Sequence, residues 1–378
     1  MHRNPLGANC ALDANTQPTP MLIRILLEPR SALDLGERDW YQLLLQARQQ
    51  GMAAKLAARL SAAGIFDQAP FKARSHMHAA RIAAQSSQVA VRFEVNRILR
   101  ALRGHDVPIV LMKGAAYVHA GLPPAAGRFV GDVDLMVPRT CIAEVEHALL
   151  AQGWAAAELD AYDQRYYREW THEIPPMQHP ERDTPVDIHH TIAALTSRVH
   201  PDAEAILAAS LPLADPRLRV MAPADMVLHS AVHLFNDEVS MPLRDLFDLH
   251  DLLAHFGNQL GFWDNLLARA PEHGLQRVLY HVLDHTRASL GTPIPEPVLS
   301  AVRGWAPRWP TRPLIRTLLH QHFIPDATAG PSPGKQFSSW LLYLRAHWLR
   351  MPPSLLVRHL WVKAWKRRRD SAFAARAG

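Results

Sequence analysis

The chain reads as an α+β protein in which a helical N-terminal region, an α+β centre and a helical C-terminal region follow one another. Three observations predict this. Apolar residues recur at helical spacing before about residue 104 and again after about residue 223. Between them lie short apolar runs bounded by Gly and Pro, which read as strands. One of these runs, Gly131-Asp132-Val133-Asp134-Leu135-Met136-Val137, carries two carboxylates at i and i+2, so on a strand both would share one face.

Residues 1–20 are polar and contain proline, and a flexible N-terminus is expected there. In the helical region 21–104, Trp40, Leu43, Leu44, Ala47, Leu56 and Leu60 place helix between Ala32 and Ala63. A second helical stretch runs from Ala73 to Arg103, with Gly104 as its C-cap. The α+β core spans 105–222. It opens with a buried strand, Val107 to Met112, and a short helix, Gly114 to His119, followed by a Gly/Pro-rich loop from Gly121 to Gly127. After the carboxylate strand, Pro138-Arg139-Thr140 opens a helix that Gly153 stops. Trp154 to Asp187 is expected to hold several short strands, the last of them Thr184 to His190. The helical C-terminal domain, 223–349, is expected to contain Asp225–Phe235, Pro242–Phe256, Phe262–Ala270 and Leu275–Leu290, then proline-punctuated helices up to a basic aromatic tail at 350–378.

Bulk composition narrows the function classes. Hydrophobic content of 48% and charged content of 20% describe a soluble globular chain, and 378 residues bury a core without staples. Only Cys10 and Cys141 are present, which excludes a disulfide framework and a thiolate zinc site. The N-terminus lacks the basic-then-apolar order of a signal peptide, and no apolar run approaches a membrane span, so a cytoplasmic protein is expected. The net charge is +6, but the eight Lys/Arg and one acid from Arg350 onward account for it. The body therefore has no basic footprint for nucleic acid. The tail combines Trp361 and Trp365 with Lys363 and Lys366 to Arg369, a pattern for docking against core or for contacting a partner or an anionic membrane surface.

Asp132 and Asp134 repel unless a cation or proton relieves them. Mg²⁺, with Mn²⁺ as a substitute, is the usual relief, held by a few carboxylates together with substrate phosphates. A third acid, Asp187, sits in the β-type run Val186-Asp187-Ile188-His189-His190. Three carboxylates on neighbouring strands suit metal-assisted displacement at phosphorus. Lys113 and Gly114 form a strand–glycine–helix junction that lets backbone approach a phosphate, and Arg128 stands before the carboxylate strand as a second phosphate contact. His189 shares the face of Asp187, yet His189 and His190 read first as structural. His229 and His233 have i,i+4 spacing without the glutamate of the zinc-peptidase motif and read as packing or surface residues.

The order Lys-Gly, Arg, Asp-x-Asp, Val-Asp-Ile-His-His resembles the nucleotidyltransferase superfamily, of polymerase-β-like fold, and especially its bacterial group of uncharacterised nucleotidyltransferases. The likeness runs from about Trp40 to Asp251, and more loosely to Pro353. It includes Thr171-His172-Glu173-Ile174-Pro175-Pro176 and Leu243-Arg244-Asp245-Leu246-Phe247-Asp248-Leu249. The resemblance implies a mixed sheet with a helical appendage and transfer of a nucleoside monophosphate from an NTP such as ATP to an acceptor, which could be a small molecule, peptide or protein. It implies Asp132 and Asp134 as metal ligands and Asp187 as the third acid. Ala115 departs from the pattern, which has Ser or Gly after the first glycine. Two other readings compete: a non-catalytic binding module on the same fold, and a sugar-nucleotide glycosyltransferase using Asp-x-Asp.

Overall fold

The computed structural model describes residues 19–236, 241–326, 330–353 and 356. Most of the expected flexible N-terminus and nearly all of the basic aromatic tail, including Trp361 and Trp365, lie outside the described residues.

Four helices precede the sheet: α1 (Met21–Leu27), α2 (Glu37–Gln49), α3 (Ala53–Ala62) and α4 (Phe71–Ala101). The expected continuous pattern from Ala32 to Ala63 is interrupted at Gly51, whose φ of 62° ends α2 and lets the chain double back into α3. The core then follows as β1 (Ile109–Leu111), α5 (Lys113–His119), β2 (Val133–Met136), α6 (Ile142–Ala151), β3 (Ala155–Ala156), α7 (Ala161–Trp170), β4 (Met177–Gln178), β5 (Val186–His189), α8 (Ala203–Ala209), β6 (Leu211–Pro212) and β7 (Leu218–Val220). The C-terminal helices are α9 (Pro223–Asn236), α10 (Pro242–Phe256), α11 (Phe262–Glu272), α12 (Gln276–Leu290), α13 (Glu296–Val302), α14 (Thr311–Phe323) and α15 (Pro333–Arg350).

The seven strands form one mixed sheet in the order β3-β4-β5-β2-β1-β7-β6. The β2–β5 and β1–β7 pairs are parallel and the others antiparallel. The central strand β1, Ile109-Val110-Leu111, is apolar and fully buried, as a strand covered on both faces must be. The chain between Trp154 and Asp187 departs from the expected run of strands. Residues 161–170 form α7, because the Asp160 carboxylate caps the backbone N–H groups of Tyr162 and Asp163 at 3.0 Å each. Tyr162 and Tyr166 then each meet the Trp170 ring edge to face, at 6.0 and 5.9 Å, along one face of the helix.

A single apolar core connects the three regions, from Leu22 on α1 through the sheet to Phe323 on α14. The α10 stripe of Leu243, Leu246, Phe247, Leu249, Leu252 and Leu253 is wholly buried in it. Each such side chain contributes about 1.5–3 kcal/mol by leaving water. Glu94 on α4, 1% exposed, accepts from Trp154 Nε1 at 2.8 Å and from Arg182 Nε at 2.6 Å, which pins the outer strands to the long helix. Among the described residues no helix is long and apolar enough to cross a membrane.

Candidate active site

The parallel register of β2 and β5 sets Asp134 directly opposite Asp187. Neighbouring residues in register have side chains on the same face, so the two carboxylates are side by side. Asp132 stands one residue before β2 rather than within it, yet its carboxylate reaches the same point: Asp132, Asp134 and Asp187 each offer an oxygen within 4.8 Å of the others. The strand ends bring together all three expected acids.

Lys113 turns the chain out of β1. Its φ of 42° is the only positive value for a non-glycine among the described residues. A side chain in that conformation is strained, and such strain gathers at functional sites. It directs Lys113 Nζ onto Asp134 Oδ1 at 2.9 Å. His189, two residues past Asp187 on β5, presents Nε2 to the same oxygen at 3.0 Å. Its other nitrogen lies 3.5 Å from Glu173 Oε2, and the His172 ring stacks on it at 5.1 Å. Glu173 reaches this position through an isolated bridge to His189 in the backbone. His190 points elsewhere: its backbone N–H donates to the His172 carbonyl, and burial and Arg139 lower its basicity.

The charges separate the three acids. Burial opposes ionisation of Asp134, but Lys113 and His189 outweigh it and hold this carboxyl well below the usual range. Asp187 has no ion pair among the described residues, and the charge of His189 only partly offsets what opposes its ionisation. Burial, then Asp134 and Glu173, push it up to about 7. Asp132 is raised by burial and by Asp134. Burial tends to neutralise His189, but its hydrogen bond to Asp134 and the Glu173 charge prevail and raise its basicity. Asp187 Oδ1 is buried and has no hydrogen-bond partner among the described residues. Three hard oxygen donors, one of them orphaned, match the donor set of Mg²⁺ or Mn²⁺.

The nucleotide-side residues have mixed placements. Gly114 is buried at the start of α5 against Val130, where a Cβ would meet Val130 Cγ1 at 2.6 Å, so packing alone requires glycine there. Arg128 is not displayed toward open solvent. It lies over the Tyr117 ring at 5.6 Å, pairs with Asp248 and stands 3.6 Å from Asp245, both on α10. Asp248 also takes Lys55 of α3 at 3.1 Å, and Asp251 takes Lys55 at 2.7 Å and Arg59. Arg244 closes the chain on Asp245 at 2.8 Å. Arg128 nevertheless acts on the acids, since its charge favours ionised Asp132.

His172, Glu173 and Arg244 belong to the site's surroundings, and no periodicity marked them. The sign that includes them is the family resemblance, whose segments Thr171 to Pro176 and Leu243 to Leu249 contain all three. His229 is buried in α9 with its basicity lowered by burial and by Lys113, and His233 lies 3.9 Å from Asp245. Neither joins a metal-spaced group among the described residues.

No curated protein and no solved structure matches the chain. A family model does, over residues 36–291, which include β1, β2, β5, α10 and all three acids. Its description is uncharacterised nucleotidyltransferase, and the mixed sheet with flanking helices agrees with it. The chain therefore belongs to the uncharacterised nucleotidyltransferase family.

Proposed function

We propose that the protein transfers a nucleoside monophosphate from an NTP to an acceptor and releases pyrophosphate, in the cytoplasm. The observation that carries this reading is the convergence of Asp132, Asp134 and Asp187 within 4.8 Å on adjacent strand ends. In this reading Asp132, Asp134 and Asp187 hold Mg²⁺ or Mn²⁺. The bound ion supplies charge neutralisation at the triphosphate and at the attacking oxygen.

The chain's own groups do the rest. Lys113 and His189 keep Asp134 ionised through Oδ1, so this carboxylate is ready for a cation at neutral pH. Asp187, with its carboxyl near neutrality and Oδ1 unpartnered, is suited to take the proton of an incoming hydroxyl or amine. In-line attack at the α-phosphorus then forms the new P–O or P–N bond as the bond to pyrophosphate breaks. Lys113 and the backbone at Gly114 face the phosphates, and Arg128 contributes positive potential while anchored to α10. The missing hydroxyl at Ala115 leaves phosphate binding more dependent on these charges.

The test is transfer of label from α-labelled ATP to acceptors in a lysate, read by autoradiography and mass spectrometry. The wild type adds one nucleotide mass, and the Asp132→Asn/Asp134→Asn variant adds none while retaining its circular dichroism. Full labelling by that variant refutes the assignment. Absence of Mg²⁺- or Mn²⁺-dependent NTP binding to the wild type in calorimetry supports the binding-module reading instead.

A further inference from the structure

The C-terminal helices enclose a second site. A cavity of about 380 Å³ opens between α12, α13 and α14, a volume that suits a small organic ligand. Four guanidiniums line it: Arg287, Arg303, Arg312 and Arg316. They are poorly neutralised. Arg287 and Arg303 share one carboxylate, Glu296, at 3.0 Å each. Arg316 stands 3.8 Å from Asp284. Arg312 lies over the ring of Tyr280, 5.7 Å from its centroid, with no carboxylate in ion-pair contact among the described residues. Four cations against two acids leave a surplus of two positive charges in one concavity.

That surplus is not a general feature of the chain. From Pro297 to Gly378 there are fourteen Lys/Arg and two acids, Asp326 and Asp370, so residues 1–296 are net acidic. Three of the cavity's guanidiniums are at least half exposed, so they present positive potential at the mouth of the cavity to an incoming anion. A dianionic phosphate matches the surplus of two charges, where a single carboxylate supplies only one, and its oxygens accept the bidentate fork of a guanidinium. Leu299 and Val302 give the cavity an apolar wall for a short carbon skeleton.

We propose that this cavity binds a phosphomonoester through Arg287, Arg303, Arg312 and Arg316. The site uses no residue of the acidic cluster and is independent of the nucleotidyl-transfer reading. Two sources share the chemistry, a soluble phosphomonoester and a phosphatidic acid headgroup. The second has some support in Trp309, which is 84% exposed and three residues from Arg312, as an interfacial side chain would be.

The test uses the full chain in EDTA, which suppresses phosphate binding at the acids. Calorimetry with sn-glycerol 3-phosphate and flotation with phosphatidylcholine vesicles, with and without phosphatidic acid, separate the sources. Arg312→Ala/Arg316→Ala is expected to lower affinity by about tenfold or more, the loss of a charge-assisted contact. Arg287→Ala lowers it independently. Asp132→Asn/Asp134→Asn binds as the wild type does. Binding to phosphatidic acid vesicles alone, lost in the arginine variants, supports the site and assigns it to lipid. Unchanged affinity in the arginine variants, loss of binding in the aspartate variant, or no binding of either probe overturns the proposal.

Discussion

Replacing Asp187 by Asn should stabilise the metal-free protein, and the gain should grow with pH. Its carboxyl is pushed from an ordinary 3.8 up to about 7, so the fold favours the protonated form. The sign follows from linkage: between these values the folded state binds the extra proton, and stability contributed by Asp187 is present below about 4 and is lost as pH rises through about 7. Each pKa unit corresponds to about 1.4 kcal/mol, so relative to pH below 4 the raised carboxyl costs about 1.6 kcal/mol at pH 5, where only the unfolded chain ionises, and up to about 4 kcal/mol at pH 8. Partial solvent access reduces both figures, leaving a pH-dependent difference of about 2 kcal/mol. The isosteric amide removes the charge and keeps the volume. Urea denaturation of both proteins in EDTA at pH 5 and pH 8 measures the difference. Mg²⁺ or Mn²⁺ should reverse the order, because only the wild type has the full ligand set. A variant that is no more stable at pH 8, or whose advantage does not change between the two pH values, refutes the assignment of buried like-charge repulsion to these three acids.

Three further outcomes are expected. Mn²⁺ affinity, read by calorimetry, should rise by up to about tenfold per pH unit below pH 7 and level off above it, since ligation requires the Asp187 proton to leave. Gly114→Ala should destabilise by about 1–3 kcal/mol through the 2.6 Å approach to Val130, and adding Val130→Ala should recover part of that loss in thermal melts. Arg128→Ala or Asp248→Ala should each cost about 3–5 kcal/mol by stranding a buried charge, while the double variant costs less than the sum, a coupling that a double-mutant cycle reads.

Much of this arrangement was legible from local signals. The Asp-x-Asp and Val-Asp-Ile runs are apolar and short, so they read as strands, and β2 and β5 place their acids together. The α10 boundaries, Pro242 to Phe256, follow directly from proline at the first position and unbroken helical spacing. Helix α7 was not legible by periodicity, because its aromatics favour strands, and only Asp160 as an N-cap marks it. The parallel β1–β7 pairing joins residues over a hundred positions apart, and β6, β7 and α8 are too short to signal themselves. Arg128 shows the same limit at the level of charge. Its sequence position before the acids suggests a phosphate, while its carboxylates lie on a helix about 120 residues later. The exchange of Lys113 and His189 on one oxygen of Asp134 is likewise a product of register, not of any motif.

The ladder of charges from Lys55 through Asp251, Asp248, Arg128 and Asp245 to Arg244 has a consequence for how this protein diversifies. It stitches the first helical region to the last across the loop that carries Arg128. A recombination event that exchanged the C-terminal helices alone, to acquire a new acceptor, would strand Lys55 and Arg128 without their acids in a dry interior. Inheritance of new specificity must therefore carry α3, the Arg128 loop and α10 as one linkage group, or proceed by point changes on surfaces outside that ladder. The seam between the α+β core and the helical appendage is a place where the protein is hardest to cut.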